Sequence, residues 1–228
     1  MKNLVVFTGA GVSAESGIQT FRDGDGLWEK HRIEDVATPE AWHKNAKLVL
    51  DFYNHRRRQV VAASPNAAHI AIAGLETYFS TYVITQNIDD LHERAGSRRI
   101  VHLHGEITKA RSSVDESLIY DIGGEDILVG QTCELGSQLR PHIVWFGEVV
   151  SELEVAAQIM SEADYLLVVG TSLAVYPAAG LIHYVPPHCK KFLVDPKASG
   201  RVHGFTIIQK EAGIGVPQLV EQLLEAEK

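Results

Sequence analysis

The chain has 228 residues, of which 45% are hydrophobic and 22% are charged, and its formal net charge is -8. This balance excludes a disordered or fibrous protein, and the acidic excess does not favour a general nucleic-acid-binding protein. Two cysteines, Cys133 and Cys189, are too few for a disulfide framework or a four-cysteine zinc site. The apolar run at residues 4–7 is too short for a signal sequence or a membrane span, which predicts a cytoplasmic protein.

Short apolar runs alternate with helical patterns along the chain. The predicted strands lie at residues 4–7, 82–84, 100–103, 143–146, 165–169 and 192–194. The predicted helices cover residues 67–76 after the N-cap Asn66, 152–162 after Ser151, and 217–225 from Pro217 onward. Near-continuous apolar strands are typical of a parallel sheet that is covered on both faces. The pattern therefore predicts an α/β fold with a Rossmann-like, doubly wound parallel sheet.

The length predicts a single domain over residues 1–228 with a small inserted lobe. The Rossmann-like core would take about residues 1–30, 62–104 and 141–228, with a helical insertion at about 31–61. Residues from about 105 to 140 contain scattered acids and only short apolar pieces, which indicates the lobe. The pieces at 118–122 and 127–129 predict a short hairpin packed on the main domain.

A glycine-rich loop, Gly9-Ala10-Gly11-Val12-Ser13-Ala14, follows the first predicted strand directly. It fits the G-x-G-x-x-G/A pattern, whose glycines let backbone amides approach a pyrophosphate at a helix N-terminus. The same loop also occurs as a tight strand-to-helix turn that binds nothing. A dehydrogenase would next show a strand ending in an acidic residue about 20 residues further on, but this chain continues with a second glycine-rich loop containing Phe21 and Arg22. A dehydrogenase is therefore the weakest interpretation.

A series of motifs in chain order resembles the signatures of the sirtuin family. The motifs are Gly9-Ala10-Gly11-x-Ser13-x-x-x-Gly17-Ile18-x-x-Phe21-Arg22, Thr85-Gln86-Asn87-Ile88-Asp89-x-Leu91-His92-x-x-Ala95-Gly96, His102-Leu103-His104-Gly105, Val144-Trp145-Phe146-Gly147-Glu148 and Gly170-Thr171-Ser172-Leu173-x-Val175-x-Pro177. They span most of the chain apart from the lobe. The resemblance implies an NAD-dependent protein-lysine deacylase, in which nicotinamide leaves and the acyl group moves to ADP-ribose.

Elementary chemistry gives one of these residues a role in that reaction. Once the acyl-lysine oxygen has displaced nicotinamide, a ribose hydroxyl must attack the acyl carbon, and a base near neutral pH must accept its proton. His104 is our candidate for that base. From the residues alone, His102 and His104 are equally well read as two core or surface histidines.

The resemblance also implies the residues that bind NAD. The catalytic set is His104, Asn87 and Asp89, and the cofactor-binding set is Gly9, Ala10, Gly11, Ser13, Phe21, Arg22, Gln86, Asn87, Ile88, Asp89, Gly170, Thr171, Ser172, Asp195 and Ala212. Gln86 and Asn87 would hold the nicotinamide ribose, and Asp89 the nicotinamide amide. Asn87 and Asp89 are equally typical of a turn and helix cap. Asp195 stands where the family commonly has asparagine, and its carboxylate can accept hydrogen bonds from the ribose hydroxyls but cannot donate them.

The lobe departs from the family pattern. Most sirtuins have two Cys-x-x-Cys pairs there that hold a structural zinc, whereas this chain has only Cys133. We therefore predict no zinc. A site made from His102, His104, Cys133 and His142 has no convincing ligand spacing.

A Tyr-x-x-Arg pair in the helical insertion bears on the acyl group. Tyr53 and Arg56 are three residues apart and share one helix face, so both can reach one carboxylate. In sirtuins this pair marks members that remove succinyl and malonyl groups. A run of arginines is otherwise typical of a solvated face, to which we assign Arg57 and Arg58.

The protein substrate is predicted to bind as an extended strand along the backbone near Val144, Phe146 and Gly147, with the loop at Val175 and Tyr176 on its other side. The predicted activity is thus removal of succinyl, malonyl and more weakly acetyl groups by a monomer that binds no nucleic acid or membrane. The alternatives are an ADP-ribosyltransferase or NAD glycohydrolase, and a catalytically silent NAD-binding sensor.

Overall fold

The computed structural model describes residues 1–19, 27 and 28, 31–173, 175–198 and 204–226. The strands in chain order are β1 (Asn3–Thr8), β2 (Leu27–Trp28), β3 (His31–Arg32), β4 (Ser80–Thr85), β5 (Ile100–His102), β6 (Gly105–Ser112), β7 (Ile119–Asp121), β8 (Leu139–Ile143), β9 (Tyr165–Val169), β10 (Lys190–Val194) and β11 (Phe205–Ile208). The helices are α1 (Ile33–Val36), α2 (Pro39–Ala62), α3 (Ala67–Gly74), α4 (Leu91–Ala95), α5 (Leu153–Ser161) and α6 (Ala212–Ala226). None of the helices in these ranges has the length and apolar composition needed to cross a bilayer.

The main sheet has six parallel strands in the order β11-β10-β9-β1-β4-β5. Leu4 and Val6 of β1 face one hydrophobic cluster and Val5 and Phe7 face another, so the strand is buried on both sides. This confirms the predicted α/β class and the doubly wound sheet. The chain continues from β1 to β4 on one side and later places β9 on the other, which leaves a crevice at the carboxyl end of β1.

The structure corrects three of the predicted elements. Residues 143–146 are not a strand of the parallel sheet, because β8 ends at Ile143 in a separate antiparallel sheet. Helix α6 begins at Ala212 rather than at Pro217. The glycines near its start are poor helix formers, so the sequence pattern did not predict its first residues. Packing explains one of them, because a Cβ at Gly215 would lie 2.6 Å from Val194 Cγ1. Ser151 does not cap α5, whose N-cap is Glu152.

The lobe is a three-stranded antiparallel sheet in the order β7-β6-β8. The predicted hairpin between 118–122 and 127–129 is wrong, because β7 pairs with β6 and residues 127–129 form no strand. Ile127, Leu139 and Cys133 of the lobe instead pack with Leu50 of α2 in a small hydrophobic cluster. Helix α2 therefore supplies part of the lobe's core.

Two polar side chains of α2 bind the loop that follows β7. Asn54 donates to the carbonyl of Ile127 at 2.9 Å and accepts from its amide at 3.0 Å. Arg57 is fully buried and donates to the carbonyls of Ile107 (2.6 Å) and Glu125 (3.2 Å) and to Asn54 Oδ1 (2.6 Å). The assignment of Arg57 to a solvated face was wrong, because its guanidinium satisfies carbonyls inside the lobe. Only Arg58 is exposed, in a bidentate pair with Asp126.

This difference between neighbouring arginines can be measured. We expect Arg57→Met to lower the free energy of unfolding by about 3 kcal/mol, because it leaves buried carbonyl groups without donors. Arg58→Met should lower it by less than about 1 kcal/mol, because that ion pair is solvent-exposed. Urea unfolding of both variants tests the difference, and equal losses would contradict the role given to Arg57.

Candidate active site

The candidate residues follow the carboxyl ends of neighbouring strands of the main sheet. The loop after β1 carries Gly9, Ala10, Gly11 and Ser13, the loop after β4 carries Gln86, Asn87, Ile88 and Asp89, the loop after β9 carries Gly170, Thr171 and Ser172, and His104 comes shortly after β5. Because these ends meet at one edge of the sheet, residues distant in sequence lie together at the crevice.

Glycines bring the loops after β1 and β9 into backbone contact. Gly9 N donates to Val169 O at 3.0 Å, and Gly11 N donates to Gly170 O at 2.9 Å. A Cβ at Gly11 would lie 2.6 Å from Gly170 Cα, and one at Gly170 would lie 2.3 Å from Val12 N. Gly170 also has a φ of +61°, in the left-handed region. The glycines thus allow the two loops to pack as one floor of the crevice.

Ser13 connects the first loop to the two polar residues after β4. Asn87 Nδ2 lies 3.2 Å from Ser13 Oγ and 3.2 Å from Gly9 O, and Ser13 Oγ donates to Asp89 Oδ2 at 3.0 Å. All three side chains are buried. Burial raises the pKa of Asp89, although its hydrogen bonds with the Leu91 amide and Ser13 oppose the shift. The result is a compact polar cluster with amide and carboxyl groups at the sheet edge.

His104 is held by one hydrogen bond to the same loop. Its Nδ1 lies 2.8 Å from the carbonyl oxygen of Gln86 and therefore carries a proton, which leaves Nε2 as the acceptor. Burial lowers the pKa of His104, and the bond to Gln86 only partly opposes this. The side chain is therefore neutral near pH 7, which is the state that a general base requires.

His102 has different partners. Its Nε2 lies 2.7 Å from Glu93 Oε1, and its Nδ1 lies 3.3 Å from the carbonyl of Asn87. Burial opposes its charge, but the hydrogen bond and the negative charge of Glu93 raise the pKa of His102. Among the residues that the structure describes, His102 bonds to a carboxylate, whereas His104 bonds to a carbonyl, which leaves its Nε2 as an acceptor.

Comparison with known proteins identifies the family. The profile described as "Sir2 family" matches residues 9–177. The chain belongs to the Sir2 family. It is 50% identical to a protein of Bacteroides thetaiotaomicron named NAD-dependent protein deacylase, over 99% of this chain and 100% of that protein. It is 54% identical to a Helicobacter pylori protein of the same name, over 87% of this chain and 86% of the other.

Solved Sir2 structures agree closely with this fold. A mutant Sir2 homologue in complex with ADP-ribose superposes with a TM-score of 0.91 at 39% identity, covering 99% of this chain and 93% of that one. A Sir2 homologue in complex with NAD gives 0.90 at 39% identity, covering 100% and 91%. A Sir2 variant with a deacetylated p53 peptide and 3'-O-acetyl-ADP-ribose gives 0.81 at 30% identity, covering 98% and 92%.

The remaining cofactor-binding candidates of this Sir2 chain differ in whether the structure describes them and in what their side chains already bind. Phe21 and Arg22 lie outside the described residues. Asp195 is buried after β10, and its Oδ1 accepts from the Lys197 amide at 2.7 Å, so one carboxylate oxygen closes a turn. Ala212 is buried at the start of α6. The loops thus bring most of the predicted Sir2 residues to one edge, with Asp195 partly committed to its own backbone.

The predicted acyl-binding pair is brought together on α2. Tyr53 is 1% exposed and Arg56 is 5% exposed, and the charge of Arg56 acts on the Tyr53 hydroxyl. Burial raises the pKa of Tyr53, so the phenol stays protonated and able to donate. The Tyr53 ring lies 6.5 Å from the Trp145 ring, over which the Arg140 guanidinium stacks at 3.3 Å.

The predicted peptide-binding segment is only partly available. The amide of Val144 donates to His104 O and that of Phe146 to Ala37 O, each at 3.0 Å. Gly147 is exposed with a φ of +93°, and the Phe146 side chain is 47% exposed. A strand bound here would therefore pair with backbone groups other than those two amides.

The structure does not assemble the four-residue metal site considered from the sequence. In the part of the chain that is described, only Glu93, His102 and Glu106 bring metal-ligand atoms within 4.8 Å of one another. Lys109 pairs with Glu106 at 2.7 Å, and Glu93 pairs with His102, so existing bonds account for these groups.

Sequence reasoning missed two buried histidines beside the site. His69 of α3 and His92 of α4 are 0% and 1% exposed, with ring centroids 4.8 Å apart. His92 is part of a family motif, but its distance in sequence from the other motif residues predicts no function for it. His69 is part of no motif. Burial lowers the pKa of His69 to about 4 and holds that of His92 well below its usual range.

The neutral state of His69 predicts acid sensitivity. In the unfolded chain His69 has its usual pKa of 6.5, whereas burial in the folded chain lowers the pKa of His69 to about 4. Acid therefore favours the unfolded state, and this single group should remove about 3 kcal/mol of stability between pH 7 and pH 4.

His69→Gln is the matched variant, because glutamine keeps the capping bond to the Asn66 amide but does not titrate. Urea unfolding at both pH values should show a smaller acid loss in the variant. An unchanged loss would contradict the assignment.

Proposed function

We propose that this Sir2 chain is an NAD-dependent protein-lysine deacylase that removes succinyl and malonyl groups, and acetyl groups more weakly. The observation that carries the proposal is the orientation of His104 by the Gln86 carbonyl, directly beside the Ser13–Asn87–Asp89 cluster. The names of the curated relatives support NAD-dependent protein deacylation, and the ADP-ribose and NAD complexes of similar structures support NAD as the co-substrate.

The crevice residues fit NAD as a co-substrate. NAD supplies a ribose carbon whose bond to nicotinamide can break, so that the acyl-lysine oxygen can attach to it. Buried Asn87 and Asp89 offer an amide and a carboxyl for the nicotinamide end. The amides of Gly9 and Gly11 already donate to Val169 O and Gly170 O, so the phosphates would bind other groups of these loops. His104 then accepts, at Nε2, the proton of the ribose hydroxyl that attacks the acyl carbon. Lysine would leave as the amine, taking the proton held by His104, and a water molecule would then add to the acyl carbon to give O-acyl-ADP-ribose.

The charges around Tyr53 favour an anionic acyl tip. Arg56 and Arg140 are the cations that act on the phenol, and Glu148, which pairs with Arg140, is the carboxylate that acts on it. The surroundings therefore carry more positive than negative charge. A buried guanidinium loses little to solvent screening and can bind a carboxylate in bidentate fashion. These features support a preference for succinyl and malonyl groups over acetyl.

The proposal also covers the oligomeric state, the location and the binding partners of the protein. The protein would act as a cytoplasmic monomer on acyl-lysine proteins bound as an extended strand, without zinc, nucleic acid or a membrane. Cys133 and Cys189 pack in different hydrophobic clusters, which supports a lobe that is not held by paired thiolates. The formal charge of -8 argues against nucleic acid as a partner.

Mass spectrometry of one peptide carrying acetyl-, malonyl- or succinyl-lysine, with and without NAD, tests the activity. NAD-dependent loss of succinyl and malonyl groups, faster than loss of acetyl, is the expected result. Loss of acetyl alone would contradict the acyl preference. NAD consumption without deacylation would favour the transferase or glycohydrolase, and NAD binding without nicotinamide release would favour the sensor.

Metal removal tests the zinc-free lobe. We expect dialysis against a strong chelator to leave both deacylation and the thermal unfolding midpoint unchanged, because the lobe's loop is held by Asn54 and Arg57. Elemental analysis of the purified protein should find less than about one zinc per ten chains, since a structural zinc site is close to fully loaded. A chelator-induced drop in the unfolding midpoint would show that the lobe depends on a metal.

A further inference from the structure

One peptide group in the site is bound on both sides. The carbonyl of Gln86 accepts from His104 Nδ1 at 2.8 Å. The amide of the same peptide bond, Asn87 N–H, donates to Thr85 Oγ1 at 3.0 Å. The direction of the carbonyl that fixes His104 is therefore coupled to the hydroxyl of Thr85.

A buried chain of hydrogen bonds continues from Thr85 into the sheet. Thr8 Oγ1 donates to Thr85 Oγ1 at 2.8 Å, and His92 Nε2 lies 3.1 Å from Thr8 Oγ1. Because the hydrogen of the Thr8 hydroxyl points to Thr85, His92 Nε2 must carry the proton that Thr8 accepts. Thr8 and Thr85 are completely buried and His92 is 1% exposed, so water does not compete for these bonds.

The ring of His69 packs against His92 at the far end of this chain of bonds, but no hydrogen bond joins the two histidines. The Asn66 amide donates to His69 Nδ1, so the proton of His69 is on Nε2. His69 Nε2 and His92 Nδ1 are both buried and have no hydrogen-bond partner among the described residues. One is a donor and the other an acceptor, in rings that meet edge to face. Burial keeps His92 neutral, and the bond to Thr8 places its proton on Nε2.

We propose that Thr85, Thr8 and His92 form a positioning relay that orients His104 through the Gln86–Asn87 peptide. The inference rests on the proposed function, since it assigns His104 as the base. The position of the Asn87 side chain depends less on the relay than that of His104, because this side chain has its own hydrogen bonds to Gly9 O and Ser13 Oγ. Loss of the relay should therefore affect the step that uses His104 and spare the cleavage of nicotinamide.

Thr85→Val removes the hydroxyl and keeps the branched shape in strand β4. The two readouts are deacylation of a succinyl-lysine peptide and exchange of labelled nicotinamide into NAD, which reports only the first bond cleavage. We expect kcat for deacylation to fall about tenfold to thirtyfold, with exchange changed by less than about twofold. Thr85→Ser should restore most of the lost deacylation, because it keeps the oxygen that the Asn87 amide needs.

Thr81→Val is the matched control, because Thr81 is a buried threonine of the same strand whose hydroxyl bonds only weakly to Phe79 O at 3.5 Å. It should leave both rates unchanged. If Thr85→Val does not fold, the pair His92→Gln and His92→Phe replaces it, since glutamine can still donate to Thr8 and phenylalanine cannot.

Two results would overturn the relay. One is a deacylation rate of Thr85→Val, or of His92→Phe, that stays within about twofold of the parent rate. The other is an equal fall in the exchange rate and the deacylation rate that the conservative variant, Thr85→Ser or His92→Gln, does not restore. Absence of NAD-dependent deacylation in the parent protein would instead overturn the proposed function.

Discussion

Replacing His104 with phenylalanine is expected to lower kcat for deacylation by about a thousandfold, within the range that general bases contribute. Phenylalanine keeps a ring of similar shape but has no nitrogen to accept the ribose hydroxyl proton. The Gln86 carbonyl loses its imidazole donor, which is a small cost beside the loss of the base. Steady-state assays with a succinyl-lysine peptide measure the effect.

Nicotinamide exchange distinguishes a base from a structural residue at this position. Cleavage of the bond to nicotinamide does not use the proton acceptor, so exchange should persist in His104→Phe within a few-fold of the parent. His188→Phe is the control, because His188 is exposed and precedes the amino end of β10, whereas the site loops follow the carboxyl ends of the strands. Equal losses of exchange and deacylation would show that His104 does not act as the base in the second step.

Replacing Arg56 with methionine should change which acyl group is removed. We expect kcat/KM for succinyl-lysine to fall about a hundredfold, because a charge-assisted contact to a carboxylate is lost from a desolvated site. For acetyl-lysine, kcat/KM should change by less than about threefold, since acetyl has no carboxylate to bind. Structural damage from losing the contact of Arg56 with Gln19 O would affect both substrates alike.

Two further variants sharpen that comparison. Tyr53→Phe removes one hydroxyl donor and should cost succinyl-lysine about tenfold in kcat/KM, less than the loss of a charge. Arg58→Met changes an exposed arginine of the same helix and should leave the succinyl-to-acetyl ratio as it is. If Arg56→Met lowered both activities equally, the acyl preference would have to arise elsewhere in the pocket.

The sequence was most informative where one physical effect dominates. The central strands β1, β4 and β9 were predicted correctly because burial on both faces leaves near-continuous apolar runs. Strand β11 was missed, since its four residues include a threonine and lie at the sheet edge. Residues 143–146 were assigned to the wrong sheet because β-branched and aromatic residues favour a strand without indicating its partner.

The site was predictable as a set of residues and much less as a set of contacts. Motif spacing predicted Asn87, Asp89 and His104 as site residues, and all three lie at one edge of the sheet, but no pattern could show that Ser13 bonds to the first two. Arg57 was misread because three consecutive arginines are typical of a surface, and only the lobe's carbonyls explain its burial. The partners of Thr8 and His92 come from distant strands and helices, so their relation depends entirely on tertiary structure.

The contact between Gly11 and Gly170 means that a glycine motif in a sequence is weaker evidence for a bound nucleotide than it is for this packing of two loops. A side chain at either position would collide with the neighbouring loop's backbone even with nothing bound. Selection would therefore keep glycine there in any descendant that retained this contact between the two loops, including one that bound no nucleotide. If Asn87, Asp89 and His104 act as proposed, these three residues would change first after loss of the ligand, and the glycines would change last.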